Sequence, residues 1–119
     1  FTHIVEMADI AAFESGVVHQ VYSTFCLTSD AEWSTRLFVL EMKEADEEGI
    51  GTFIEVIHRS PAKVGSTVNF YATLEAVNGH EIICSFIAKC GERIIAEGKT
   101  GQKILKKEKL NRIMAAIEN

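Results

Sequence analysis

The apolar pattern changes period at Gly49, and that change restricts the fold more than any other property of the chain. From Thr28 to Ala45 the apolar positions Ala31, Phe38, Met42 and Ala45 recur at helical spacing, with Trp33, Leu37 and Leu40 widening the stripe. Ser29 followed three residues later by Glu32 matches a capping box and predicts where this helix starts, and Gly49 is its expected stop. Beyond it the period is two. In "GSTVNFYATLEAV" Val68, Phe70, Ala72, Leu74 and Ala76 share one side, while Thr67, Asn69, Tyr71, Thr73 and Glu75 share the other.

Asn78-Gly79 is a type I′ hairpin signal, "HEIICSFIAK" is the return strand, and Cys90-Gly91 turns the chain into "RIIAEGKTGQKIL". With "GTFIEVIH" before them, four strands are expected in series as an antiparallel meander. Leu110, Ile113, Met114 and Ile117 predict an amphipathic C-terminal helix, and "HIVEMADIAAFESG" reads as an edge strand followed by a short helical turn. A long helix followed by a meander must lay its apolar face on one face of the sheet, giving a two-layer α+β domain over residues 1–119. Two architectures fit this pattern: a hotdog fold, in which a curved sheet wraps the helix, and a cystatin-like cone.

Composition removes whole classes of function. The net charge of −5 argues against nucleic acid, which needs a surplus of Lys and Arg on one face. The basic run "KILKKEKLNR" reads as the solvated side of the terminal helix. No stretch approaches the roughly 20 apolar residues that span a bilayer. Cys26, Cys84 and Cys90 form no C-x-x-C pair and no zinc-ligand spacing, so no metal site is expected and a reducing, cytoplasmic setting is. Neither a dinucleotide-binding G-x-G-x-x-G nor a G-x-S-x-G nucleophile elbow is present.

The residues able to carry chemistry are few. His58 shares parity with Thr52, Ile54 and Val56, which puts it on the helix-facing side of its strand, while Phe53 and Glu55 face away. There it is either a core histidine with both nitrogens satisfied or a site residue where a rigid strand meets a loop. Glu32 has two structural readings, closing the capping box with Ser29 or pairing with Arg36 one turn on. Thr24, in "YSTFC", says almost nothing alone, and His3, His19 and His80 fall in or beside expected loops, where they would be solvated.

Taken together, "SGVV", "STFCLTSDAEW", "GIGTFIEVIH" and "GSTV…VNG" resemble the fluoroacetyl-CoA thioesterase family of hotdog proteins, from about Val5 to Gly98. The resemblance implies a homodimer with acyl-CoA sites at the subunit interface and a catalytic set of Thr24, Glu32 and His58. It implies hydrolysis of a short acyl-CoA to the acid and free CoA, with no metal or redox cofactor. Gly51 falls in the matched strand. The family's Thr-His-Glu-Arg segment is "KTGQ" here, so Gln102 stands where an arginine is usual, and Phe25 and Cys26 replace a small-residue context beside the threonine. These four positions are expected to set the acyl pocket, with a substrate other than a fluoroacyl group. The competing expectation is a hotdog module that binds an acyl-CoA or another hydrophobic ligand without hydrolysing it.

Overall fold

In the computed structural model, which describes residues 1–13 and 16–118, helix α1 (Thr24–Met42) lies across a five-stranded antiparallel sheet. The sheet is built from β1 (Thr2–Ile4), β4 (Glu47–His58), β5 (Thr67–Asn78), β6 (Glu81–Cys90) and β7 (Arg93–Lys106), in the order β1-β5-β6-β7-β4. Strands β2 (Ile10–Phe13) and β3 (Gly16–Tyr22) form a separate hairpin ahead of α1, and α2 (Lys107–Ala115) follows β7 directly. This is the hotdog arrangement, a curled sheet around one helix. Among the described residues no helix is long and apolar enough to cross a membrane.

The four-strand meander is corrected in one respect: β5, β6 and β7 run in series, but β4 pairs with β7 and lies on the far edge from β5. The connection after His58 carries the chain across. On the way the Arg59 amide donates to the Ile95 carbonyl at 2.7 Å, and the Tyr22 amide donates to the Ala62 carbonyl at 2.8 Å. The β5–β6 hairpin is where the sequence puts it, with Asn78 paired to Glu81. Its loop residues are Gly79 and His80, and only Gly79 has a positive φ, 64°, the II′ pattern rather than I′.

Helix α1 begins six residues before the expected capping box. Ser23 is the N-cap, its hydroxyl accepting from the Cys26 amide at 3.0 Å, and Ser29 lies inside the helix. The far end is also earlier than expected. Lys43 leaves the helix in an extended conformation, Glu47 Oε1 accepts from the Glu44 amide at 2.7 Å, and Gly49 belongs to β4. The buried face is Leu27, Ala31, Ser34, Thr35 and Val39, with Phe38 packed beside it. Trp33, Leu37, Leu40 and Met42 are exposed, because an apolar count could not see that two hydroxyl residues turn inward. Both pay no polar penalty: Ser34 Oγ donates to the Ala31 carbonyl at 2.7 Å and Thr35 Oγ1 to that of Glu32 at 2.9 Å.

These hydroxyls divide the interior. The larger apolar cluster holds Val5, Tyr22, Leu27, Phe70, Phe86 and Ile95, whereas a smaller one holds Val39, Ile82 and Cys84. Thr100 and Gln102 on β7 are also buried and meet Thr35, so a polar belt lies in this interior. At the N-terminus the expected edge strand and helical turn are present, as β1 and a 3-10 turn at Met7–Asp9; Glu14 and Ser15 lie outside the described residues. His3 is not a solvated loop residue. It sits in β1, partly buried, with Nε2 2.7 Å from Asp9 Oδ2 and its ring stacked on Tyr22. His19, in β3, and His80 are exposed as expected.

Candidate active site

The last residue of β4 meets the first residue of α1. Thr24 Oγ1 and His58 Nδ1 are 2.9 Å apart, in a shallow cleft with Arg59, Ser60 and Pro61. His58 Nε2 is buried and has no partner among the described residues. Burial of the ring holds the imidazole below its ordinary pKa, against a smaller opposing effect of the Ser60 backbone, so the ring is neutral at pH 7. A neutral ring has one donor and one acceptor nitrogen, and the Thr24 hydroxyl can complement either tautomer. Ser23 takes the Cys26 and Leu27 amides, while helical geometry offers no intrahelical acceptor to the amides of Thr24 and Phe25.

A second group of residues assembles two turns along α1. The ladder between β4 and β7 has a bulge between Gly51 and Phe53, so two β4 residues occupy the space of one. This corrects the parity read from the sequence. Ile54, Val56 and His58 keep the helix-facing side, but Thr52 is the bulged residue, and Gly51 faces α1 in its place. A Cβ on Gly51 would lie 3.1 Å from Glu32 Oε1, so the carboxylate rests directly over a backbone that only glycine leaves clear. Neither structural reading of Glu32 holds. Arg36 instead donates to the Gly49 carbonyl at 3.1 Å, and among the described residues no cation pairs with Glu32, which is exposed.

Gln102 lies opposite Gly51 in the ladder and is 1% exposed. Its Nε2 donates to Thr35 Oγ1 at 3.3 Å, and Thr100 Oγ1 donates to the same hydroxyl at 2.8 Å. Gln102 Oε1 is buried with no donor among the described residues. Thr35 and Thr100 carry this network, and no motif or apolar period marked either of them. Phe25 is 84% exposed, and Cys26 packs against the larger apolar cluster. A groove of about 390 Å³ between α1 and β5, lined by Phe1, Leu37, Phe38 and Tyr71 among others, contains none of the candidate residues.

One chain therefore brings Thr24 to His58, and Glu32 to Gly51 and Gln102, but keeps the two groups apart. Thr24 and Glu32 are eight residues apart in one helix, about 12 Å along its axis. Gly51 and His58 are separated by roughly 20 Å of strand.

The sequence model of the family described as fluoroacetyl-CoA-specific thioesterase matches residues 5–108. The chain belongs to this family. A Thermus thermophilus protein described as a thioesterase superfamily member superposes with a TM-score of 0.92, at 31% identity, over 97% of this chain and 85% of that one. A point mutant of the fluoroacetyl-CoA-specific thioesterase, in complex with fluoroacetate and CoA, superposes with a TM-score of 0.81, at 25% identity, over 97% and 96%. A hot-dog-like protein from Thermanaerovibrio acidaminovorans shares the fold, with a TM-score of 0.82 at 20% identity over 100% and 89%. No curated protein sequence matches the chain. Like its family, the chain is a thioester hydrolase acting on acyl-CoA.

Proposed function

We propose that the chain hydrolyses short acyl-CoA thioesters as a homodimer, each site taking Thr24 and His58 from one copy and Glu32 from the other. The observation that carries this reading is the separation of the two groups along β4, the longer of the sheet's two edge strands. Two such edges can pair antiparallel about a twofold axis. With the axis near Ile54 and Glu55, Gly51 of each copy falls opposite His58 of the other, and each end of the joined strands gathers one complete set.

The reaction is R–CO–S–CoA + H₂O → R–COOH + HS–CoA, which balances without a metal or redox partner. Glu32, a carboxylate with no ion-pair partner among the described residues and beside an open backbone, is the base or nucleophile that brings oxygen to the thioester carbon. His58, neutral and hydrogen-bonded to Thr24, holds or moves the proton near the sulfur. The N-terminus of α1 favours negative charge developing at that end. The polar floor of Thr35, Thr100 and Gln102 disfavours a long hydrocarbon chain and supports a short acyl group. Gly51 and Gln102 border that group, with Phe25 and Cys26 at the helix start. Three free cysteines and a CoA substrate suit a cytoplasmic setting.

The test is complementation. Glu32→Ala and His58→Ala are each made, then unfolded and refolded together, and free thiol release is measured with acetyl-CoA, butyryl-CoA and octanoyl-CoA. Random pairing makes half the dimers mixed, and each mixed dimer carries one intact site, so about a quarter of wild-type activity returns. Recovery of nothing, with each variant alone inactive and wild type active, refutes a shared site. Full activity in both variants refutes the roles of both residues.

A further inference from the structure

Gln102 Oε1 is a buried acceptor with nothing to accept from among the described residues. The amide cannot escape by turning over. Thr35 Oγ1 has one hydrogen, given to the Glu32 carbonyl at 2.9 Å, and it already accepts from Thr100, so only a donor fits against it. Nε2 therefore faces Thr35 and Oε1 faces away. Bulk water does not satisfy Oε1, because the atom has no accessible surface. Buried polar atoms in native proteins are normally paired, and an orphan one needs a reason.

Its surroundings supply one. Gln102 is the ladder partner of Gly51, so both project from the same face of the sheet, and the space over Gly51 is bounded by Glu32 Oε1. Glu32 is exposed and, among the described residues, is held by no cation, so no ion pair fixes its side chain over that space. What enters must lie close enough to Glu32 for its carbonyl carbon to be attacked, and must present a hydrogen-bond donor to Oε1. An unsubstituted acyl chain offers no donor. A hydroxyl on the carbon next to the carbonyl, or on the one after it, offers one.

We propose that the substrates are short hydroxyacyl-CoA thioesters, and that Gln102 Oε1 selects them by accepting the hydroxyl hydrogen. The inference rests on the reading of Glu32 as the group that works over Gly51. A site built to pair with a hydroxyl rejects the analogue lacking it, because the buried acceptor is then left empty.

The experiment measures kcat/KM by free thiol release for matched thioesters: glycolyl-CoA against acetyl-CoA, 3-hydroxypropionyl-CoA against propionyl-CoA, and 3-hydroxybutyryl-CoA against butyryl-CoA. Wild type is expected to favour the hydroxylated member of at least one pair by about tenfold or more. The pair that shows it gives the hydroxyl position. Gln102→Leu is expected to shrink that ratio to about twofold or less. Hydrolysis of all six with no preference in wild type overturns the inference and leaves the thioesterase reading intact. The same holds if Gln102→Leu, still folded, keeps the preference. Release from none of the six overturns both.

Discussion

Replacing Gly51 with alanine separates the stability of β4 from the role proposed for Glu32. Gly51 does not have a positive φ, so alanine fits its backbone and should stiffen the unfolded chain, raising stability by about 0.4–1 kcal/mol. That corresponds to a rise of roughly 2–5 °C in Tm for a domain of this size. The new methyl carbon would sit 3.1 Å from Glu32 Oε1, against 3.4–4 Å for an ordinary contact. The carboxylate must give way by a few tenths of an ångström, and it can, since it is the far end of an exposed side chain. A misplacement of 1 Å at a reacting group costs on the order of a hundredfold in rate, so this smaller shift should cost about tenfold, near 1.4 kcal/mol in the barrier. The assays are thermal unfolding and thiol release on the same preparation. A Gly51→Ala protein with raised Tm and full activity would show that Glu32 does not act from its place over Gly51. A lowered Tm would refute the account of the strand itself.

Other consequences are as direct. Leu27→Ala, in the larger apolar cluster, should lower stability by about 2–5 kcal/mol in urea unfolding, without altering the Thr24–His58 pair. Thr24→Ala should lower kcat by about ten- to a hundredfold, while Thr24→Ser keeps most of it, since the serine hydroxyl can still meet His58. His58 has a folded pKa below the ordinary 6.5, so the unfolded chain binds the extra proton first. Stability should therefore fall as pH drops from about 6.5 through the depressed value, and a His58→Gln protein should lose that part of the dependence. Dialysis against EDTA should leave thiol release unchanged, because the reaction as written needs no metal.

The sequence carried the sheet well and the helix poorly, for a physical reason. In β6 and the first half of β5 hydrogen-bonded neighbours hold the pleat in place, so alternation reports burial there, whereas Leu74, beside the β5 bulge, is exposed. Val68, Phe70, Ile82, Cys84 and Phe86 are all buried. On α1 the inward positions Ser34 and Thr35 satisfy their hydroxyls within the helix, which removes them from any apolar count, while Trp33 at 43% exposed adds to it wrongly. The true start at Ser23 was hidden behind a better-looking box at Ser29. His58 stood out by its parity at a strand end, but its meeting with Thr24 had no local signal, since the two are 34 residues apart. That Glu32 lies over Gly51 depends on the bulge, which no period can announce.

The bulge makes β4 a strand with two phases. From Phe53 to His58 the pleat is set so that the histidine meets the start of α1; from Glu47 to Gly51 it is offset by half a period, so that glycines, not side chains, lie under the middle of the helix. A strand in a single phase could present either the imidazole or the open backbone to α1, never both. The extra residue thus uncouples the ends of β4. Residues at the Gly51 end, Gln102 opposite it among them, can change while the frame that carries His58 stays where it is.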